Sequence, residues 1–376
     1  MLTLPMTFVE GQIWTVEGWI FGRLHFGTLI EHLEQIEHLE HVSERYIVPG
    51  FIDVHVHGGG GGDTMDGEAG VRQMLRFHAR HGTTGLLPTT ITNPWLCILE
   101  ALRAVRAVRD APERGEAAAL GAHLEGPFVH PDKLGAQPPF TRLPEPELLA
   151  ELLALEVIAV VTMAPDRPGA LTAAQTFARA GVRVSLGHTL ATAFEAGELI
   201  EAALEAGGTV GGTHLYNAMS GLSGREPGVV GALLSRAQTY VELILDGHHV
   251  HRDSFLTALR AKPERVLLIT DAMRAAGMPD GDYDLGGLVA TVKDGQARLS
   301  GGNLAGSLLT LDVALKNVVA AGVPLHQAVA LLSLHPARYL GLEDRGDLRP
   351  GLRADVVVLE PDLSVAQVYV GGWAVL

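Results

Sequence analysis

From about residue 47 the hydrophobic pattern alternates between two kinds of segment. Short runs of β-branched or small apolar residues are followed by longer stretches of helical period, which predicts a parallel sheet with crossover helices. Eight apolar runs stand out, at 47–57, 83–90, 119–128, 157–165, 182–189, 208–219, 241–250 and 266–273. Helical segments fall between them at 68–81, 94–109, 144–153, 169–180, 192–206 and 251–261. Eight strands with helices between them is the count of a closed (β/α)8 TIM-like barrel, and 47–341 is close to the about 250 residues such a barrel takes. An open doubly wound sheet is the alternative. It is weakened at the end of the first run, where His57-Gly-Gly-Gly-Gly-Gly-Asp63 holds no G-x-G-x-x-G opening a helix.

The two ends of the chain read differently. Residues 1–46 and 346–376 carry short alternating stretches such as 9–16 and 355–360, which predict a small β-sandwich domain assembled from both termini. The expected division is 1–48 with 342–376 for that domain and 49–341 for the barrel. Segment 29–44 reads both ways, since Leu33, Ile36 and Leu39 fit a helical face while its flanks fit strands; His32, His38 and His41 within it are expected to be solvated among glutamates. Residues 275–303, rich in Gly and Asp, are long enough to form a functional insertion or lid.

Composition narrows the function classes. With 28 Lys+Arg against 43 Asp+Glu the formal charge is −15, which argues against non-specific affinity for nucleic acid or an anionic membrane. An anionic substrate therefore needs a local positive site. Cys97 is the single cysteine, so an internal disulfide and a cysteine-cluster metal site are both excluded. A metal must rest on His and carboxylates. No stretch approaches the ~20 apolar residues of a membrane span, and the first basic residue is Arg23, so a soluble, cytoplasmic protein is expected.

In a parallel barrel the C-terminal strand ends share one face, so polar residues there converge although distant in sequence. The first run ends in Asp53-Val-His55-Val-His57, the third in His123-Leu-Glu125, and the fifth in Gly187-His188-Thr189. The sixth carries Thr213-His214, the seventh Asp246-Gly-His-His249, and the eighth Thr270-Asp271. Any one of these alone would more often cap a helix or bond a loop. Together they form a donor set for Zn²⁺, Fe²⁺ or a similar ion, with Glu125, His188 and His214 as three ligands that leave a position open. His55 and His57 lie two apart and share one side of their strand. They either hold a second ion or line the barrel mouth and bond water or substrate. Asp271 is placed to act as general base, with metal ligand and helix cap as the other readings.

Several segments carry a resemblance. They are PGFIDVHVHG (49–58), HLEGPF (123–128), GHT (187–189), HLYNAMSGLSGREPG (214–228), DGHHV (246–250), TDAM (270–273), LAGS (304–307) and GDLRPGLRADVVVLE (346–360). Together they closely resemble the N-acetylglucosamine-6-phosphate deacetylases of the amidohydrolase superfamily, over nearly the whole chain. The first and last motifs are superfamily-level signals, whereas HLEGPF and HLYNAM followed by GREPG are far more specific. The resemblance implies a metal-dependent barrel, usually homodimeric, that cleaves the acetamide of a phosphosugar. It implies Glu125, His188 and His214 as metal ligands, Asp271 as general base and acid, and His249 as a catalytic contact at the scissile carbonyl. It further implies Asn217, Ala218 and Arg225 as phosphate and sugar contacts, Ala136 as a sugar contact, and Leu304, Ala305 and Gly306 as pocket lining. In some relatives the arginine reaches across a dimer interface.

Two departures stand out. Where the family commonly has Lys-Gly-x-His, this chain has Lys133-Leu-Gly-Ala136-Gln137, so a substrate contact at Gln137 is expected in altered form, because an amide cannot become cationic. His55 and His57 are both present, whereas some members lack ligands there, so one or two ions per subunit are expected. The alternatives are a deacetylase for N-acetylgalactosamine 6-phosphate, another amidohydrolase such as a dihydroorotase or D-aminoacylase, and a catalytically dead scaffold. Glu125 stands where dihydroorotase-like sites would have a carboxylated lysine, and Glu125, His188, His214 and Asp271 all remain in place, which favours a deacetylase.

Overall fold

The computed structural model describes residues 6–36 and 44–375. Six barrel strands pair in parallel in chain order: Phe51–Val56, Thr83–Thr90, Ala122–Glu125, Ile158–Met163, Arg183–Leu186 and Val210–Gly212. Val241–Leu243 and Val266–Leu268 form a further parallel pair. Backbone bonds join the two groups. Tyr240 N–H donates to Val210 O at 2.9 Å and Gly212 N–H to Tyr240 O at 3.0 Å. On the other side Asp271 N–H donates to His55 O and His57 N–H to Ala272 O, both at 2.9 Å. The ring of eight is thereby closed, as the apolar runs predict.

Strands covered on both faces need no alternation, which is why these segments read as continuous apolar runs. Every residue of Phe51–Val56 and Thr83–Thr90 is buried. The periodic segments are the helices Gly67–Ala79, Trp95–Asp110, Pro146–Leu153, Ala170–Arg179, Ala193–Glu205 and Arg252–Ala261. Thr192-x-x-Glu195 starts one of them as a capping box: Glu195 N–H donates to Thr192 Oγ1 at 3.2 Å and Thr192 N–H to Glu195 Oε2 at 2.8 Å. A seventh crossover helix, Gly228–Ser235, has no amphipathic signal because Gly228 through Leu233 are all buried. Helices Leu311–Ala320, Leu325–Leu332 and Leu334–Leu340 follow the last barrel strand.

The termini meet in one seven-stranded sheet, ordered Trp373–Ala374, Val365–Val370, Val356–Leu359, Tyr46–Pro49, Thr7–Thr15, Gly18–Phe26 and Ile30–Gln35. It has its own core, including Ile13, Leu24, Phe26, Ile47 and Val358. The ambiguous segment is extended at Ile30–Gln35, where pairing with Gly18–Phe26 decides the matter against a helix. His32 is exposed there and stacks on His25 at 4.2 Å between ring centroids. His38, His41 and Leu39 lie outside the described residues.

The 275–303 insertion forms a three-stranded antiparallel sheet, Gly281–Leu285, Leu288–Lys293 and Gln296–Leu299. Its apolar face, with Leu285, Ala290, Val292 and Ala297, packs on Ile91 and Met273 beside the barrel mouth.

Candidate active site and metal centre

The C-terminal strand ends bring Glu125, His188 and His214 together. Glu125 Oε1 lies 3.2 Å from His188 Nε2 and 3.1 Å from His214 Nε2, and the two imidazole nitrogens are 3.1 Å apart. A second group adjoins the first. His57 Nε2 is 3.3 Å from His55 Nε2, 3.2 Å from Asp271 Oδ1 and 3.1 Å from Glu125 Oε2, and His55 Nε2 is 3.5 Å from Asp271 Oδ1.

Oxygen acceptors behind three of the four rings set their tautomers. His188 Nδ1–H donates to Lys133 O at 2.7 Å, His57 Nδ1–H to Thr89 O at 3.2 Å, and His55 Nδ1–H to Glu242 Oε2 at 3.0 Å. In a neutral ring the lone pair is then on Nε2, the atom turned toward the shared centre. Lone pairs facing each other at about hydrogen-bond distance repel unless a proton or a cation lies between them. Buried carboxylates demand the same positive charge. Burial acts to lower the pKa of His57, yet Asp271 and Glu125 beside it push it up to about 9. His55 is likewise raised well above its ordinary value by Glu125 and Asp271 against burial. Burial acts to raise Glu125 and Asp271, and the imidazoles hold both below the usual carboxylate range. Imidazole Nε2 atoms and carboxylate oxygens within 4.8 Å of one another, in the groups Glu125/His188/His214 and His55/His57/Asp271, suit a divalent cation.

Backbone strain sits at the same places. His188, His214 and Asp271 have φ of 48°, 33° and 48°, left-handed values uncommon for side chains of this size. Each lies where a strand turns sharply into its loop, which aims the side chain across the mouth. Gly126 of the HLEGPF motif also has a positive φ, 75°, and a Cβ there would collide with the Thr92 hydroxyl. A larger residue would move the loop that follows Glu125.

A cavity of about 380 Å³ opens above the two groups. Its lining includes Glu125, His188, His214, Asp271 and His57, and also Ala136, Gln137, Asn217, Ala218, His249, Leu304 and Gly306. His55 lies beneath it, fully buried. Ala305 stands behind the wall, fully buried, with its N–H on Ala297 O at 2.9 Å. Arg225 is exposed and outside the cavity lining, where Lys133 is the one Lys or Arg among the described residues. Gln137 is turned inward and bonds Glu125 rather than facing only the cavity, with Nε2 donating to Oε2 at 2.6 Å. His249 Nδ1 bonds Asp246 Oδ2 at 2.7 Å; burial acts to lower its pKa, but the Asp246 carboxylate raises it above the usual histidine value.

Three contributors escape the sequence reading. The carbonyls of Lys133 and Thr89 leave no side-chain signal. Glu242 does leave one, as the lone charge in the strand run Val241-Glu242-Leu243-Ile244-Leu245.

Residues 46–375 match the amidohydrolase family, and the chain belongs to it. Within that class it is similar to amino-sugar phosphate deacetylases. It is 43% identical over 343 residues to an N-acetylgalactosamine-6-phosphate deacetylase of Escherichia coli O157:H7, covering 88% of this chain and 89% of the relative. It is 38% identical to an N-acetylglucosamine-6-phosphate deacetylase of Lysinibacillus sphaericus, covering 91% and 88%. A Mycobacterium smegmatis N-acetyl-D-glucosamine-6-phosphate deacetylase variant, solved with N-acetyl-D-glucosamine-6-phosphate, superposes with a TM-score of 0.90 at 34% identity, covering 99% of both chains.

Proposed function

We propose that the protein hydrolyses the acetamide of N-acetyl-D-glucosamine 6-phosphate, giving D-glucosamine 6-phosphate and acetate. The observation that carries this is the placement of Glu125, His188, His214 and Asp271 at the floor of one cavity with His249 on its wall. The deacetylase relatives support the substrate class.

Glu125, His188 and His214 would hold one divalent ion, zinc or iron, and His55, His57 and Asp271 a second. Bound there, the metal supplies Lewis acidity that polarises the acetyl carbonyl and makes water acidic enough to react at neutral pH. Asp271, ionised by its imidazole neighbours, accepts a proton from the attacking water and returns it to the leaving amine nitrogen. His249, with Nδ1 fixed by Asp246, presents Nε2 to the acetyl oxygen and stabilises the charge that develops on it. Asn217, Ala218 and Ala136 orient the sugar, with Gln137 beside them, and Leu304, Ala305 and Gly306 shape the wall under the inserted sheet.

Arg225 meets the 6-phosphate, and its exposed position outside the lining favours service to the partner's cavity in a homodimer. The functional division is residues 49–341 for the hydrolase barrel and 1–48 with 342–376 for the terminal β domain. A cytoplasmic location accords with the single cysteine, Cys97. Among the described residues no helix is long and apolar enough to cross a membrane.

A second reading, the 4-epimeric N-acetylgalactosamine 6-phosphate as substrate, is favoured by the 43% identity to the E. coli relative. Acetate release from both phosphosugars by metal-loaded protein tests the two readings. Higher kcat/KM on the glucosamine form is expected, preference for the galactosamine form replaces the first reading with the second, and release from neither overturns both.

A further inference from the structure

Glu242 lies on the barrel strand Val241–Leu243, its side chain 1% exposed. Removing an ionised carboxylate from water is costly unless it is paired, and among the described residues its only ion pair is with His55. Glu242 Oε2 accepts from His55 Nδ1–H at 3.0 Å and from the His214 backbone N–H at 3.2 Å. Oε1 has no partner. One oxygen thus touches a residue from each of the two ligand groups.

His123, on the other side of His55 at 4.5 Å between ring centroids, completes a third cluster with Glu242. That cluster is not itself suited to an ion. His123 Nδ1–H donates to Val54 O at 3.0 Å and Nε2 bonds Thr162 Oγ1 at 2.7 Å, so both ring nitrogens are already engaged. His123 and Glu242 support His55 from behind instead.

We propose that Glu242 is a positioning residue that locks His55 with Nε2 toward the cation, makes that nitrogen a stronger donor, and braces it against the His214 backbone. The inference rests on the metal centre described under Proposed function. A carboxylate on the far nitrogen of a ligating histidine fixes the ring's tautomer and increases its basicity, and losing such a partner costs about 10–100-fold in metal affinity. Leucine removes the acceptor. Glutamine keeps an oxygen for Nδ1–H but loses the charge, so the two variants separate orientation from basicity.

The test is zinc affinity of the full chain, measured by competition with a chromophoric chelator, for the wild type, Glu242→Gln, Glu242→Leu and His55→Ala. Melting temperature is recorded with and without zinc. Expected are a roughly ten-fold loss in Glu242→Gln, a loss nearer 100-fold in Glu242→Leu and at least that in His55→Ala, with a smaller zinc-induced rise in melting temperature each time. Wild-type zinc affinity in Glu242→Leu, with zinc-free and zinc-loaded forms destabilised equally, would show a purely structural role and overturn the proposal. Should Glu242→Leu fail to fold, wild-type affinity in Glu242→Gln overturns it. Zinc binding needs no turnover. A wild-type chain that binds zinc but releases no acetate defeats the substrate assignment alone.

Discussion

Gln137 bridges the Thr92 backbone and the Glu125 carboxylate: its Oε1 accepts from Thr92 N–H and its Nε2 donates to Glu125 Oε2, both at 2.6 Å. The anchoring N–H fixes the amide orientation, so Nε2 must be the atom facing Glu125. Oε1 of Glu125 is left for His188 and His214. Gln137 therefore acts on the carboxylate that joins the two ligand groups.

Gln137→Leu removes a hydrogen bond to a charged acceptor, worth about 1.5–3 kcal/mol. Zinc affinity should fall about ten-fold or more, and kcat should fall with it at limiting metal. Dialysis against graded chelator checks this, and retention equal to the wild type would mean that Gln137 serves only the sugar.

Asp271→Asn should fold and keep the ion at Glu125, His188 and His214, because Asp271 is not in that group. An amide cannot accept the water's proton, so turnover should drop by about 10²–10⁴. Metal content alongside kcat reads this directly. Full activity in the variant would remove Asp271 from proton transfer.

The barrel was legible because its strands are largely buried on both faces, Phe51–Val56 and Thr83–Thr90 throughout, and their apolar runs survive as sequence patterns. Glu125, His188, His214 and Asp271 were legible because a parallel barrel collects its strand ends on one rim. What escaped depends on contacts that no local pattern encodes. Helix Gly228–Ser235 is buried nearly throughout and has no stripe to detect. Segment 30–35 is a strand because Gly18–Phe26 pairs with it, a tertiary reason. The inward bond of Gln137 needs the Thr92 backbone, distant in sequence.

His249 supplies a pH prediction. With Nδ1–H given to Asp246, Nε2 can donate to the substrate oxygen only in the imidazolium form. Asp246 raises the His249 pKa against burial, so the donor persists above the ordinary 6.5 and is lost as pH rises through the raised value. The pair's contribution to stability has the same sign, full below 6.5 and fading over that window. Asp246→Asn removes the carboxylate, and the alkaline limb of kcat/KM should move to lower pH. A pH–rate profile with an unmoved limb would take His249 out of the rate-limiting step.

Arg225 stands exposed, outside a cavity whose lining, among the described residues, contains Lys133 as its one Lys or Arg. A protein of formal charge −15 must still hold a dianionic phosphate, and a guanidinium that binds phosphate bidentately suits that task. Arg225→Ala should raise KM for the phosphosugar by at least ten-fold while leaving the slow hydrolysis of unphosphorylated N-acetylglucosamine unchanged. Mixing variants then locates the arginine. If it serves the partner's cavity, a mixed dimer of Arg225→Ala and Asp271→Asn chains contains one cavity with an intact Asp271 and an intact arginine opposite, so activity at low substrate should reappear on subunit exchange. If it serves its own cavity, every site in the mixture lacks one of the two and no activity returns. An equal loss on phosphorylated and unphosphorylated sugar would remove Arg225 from phosphate recognition in either arrangement.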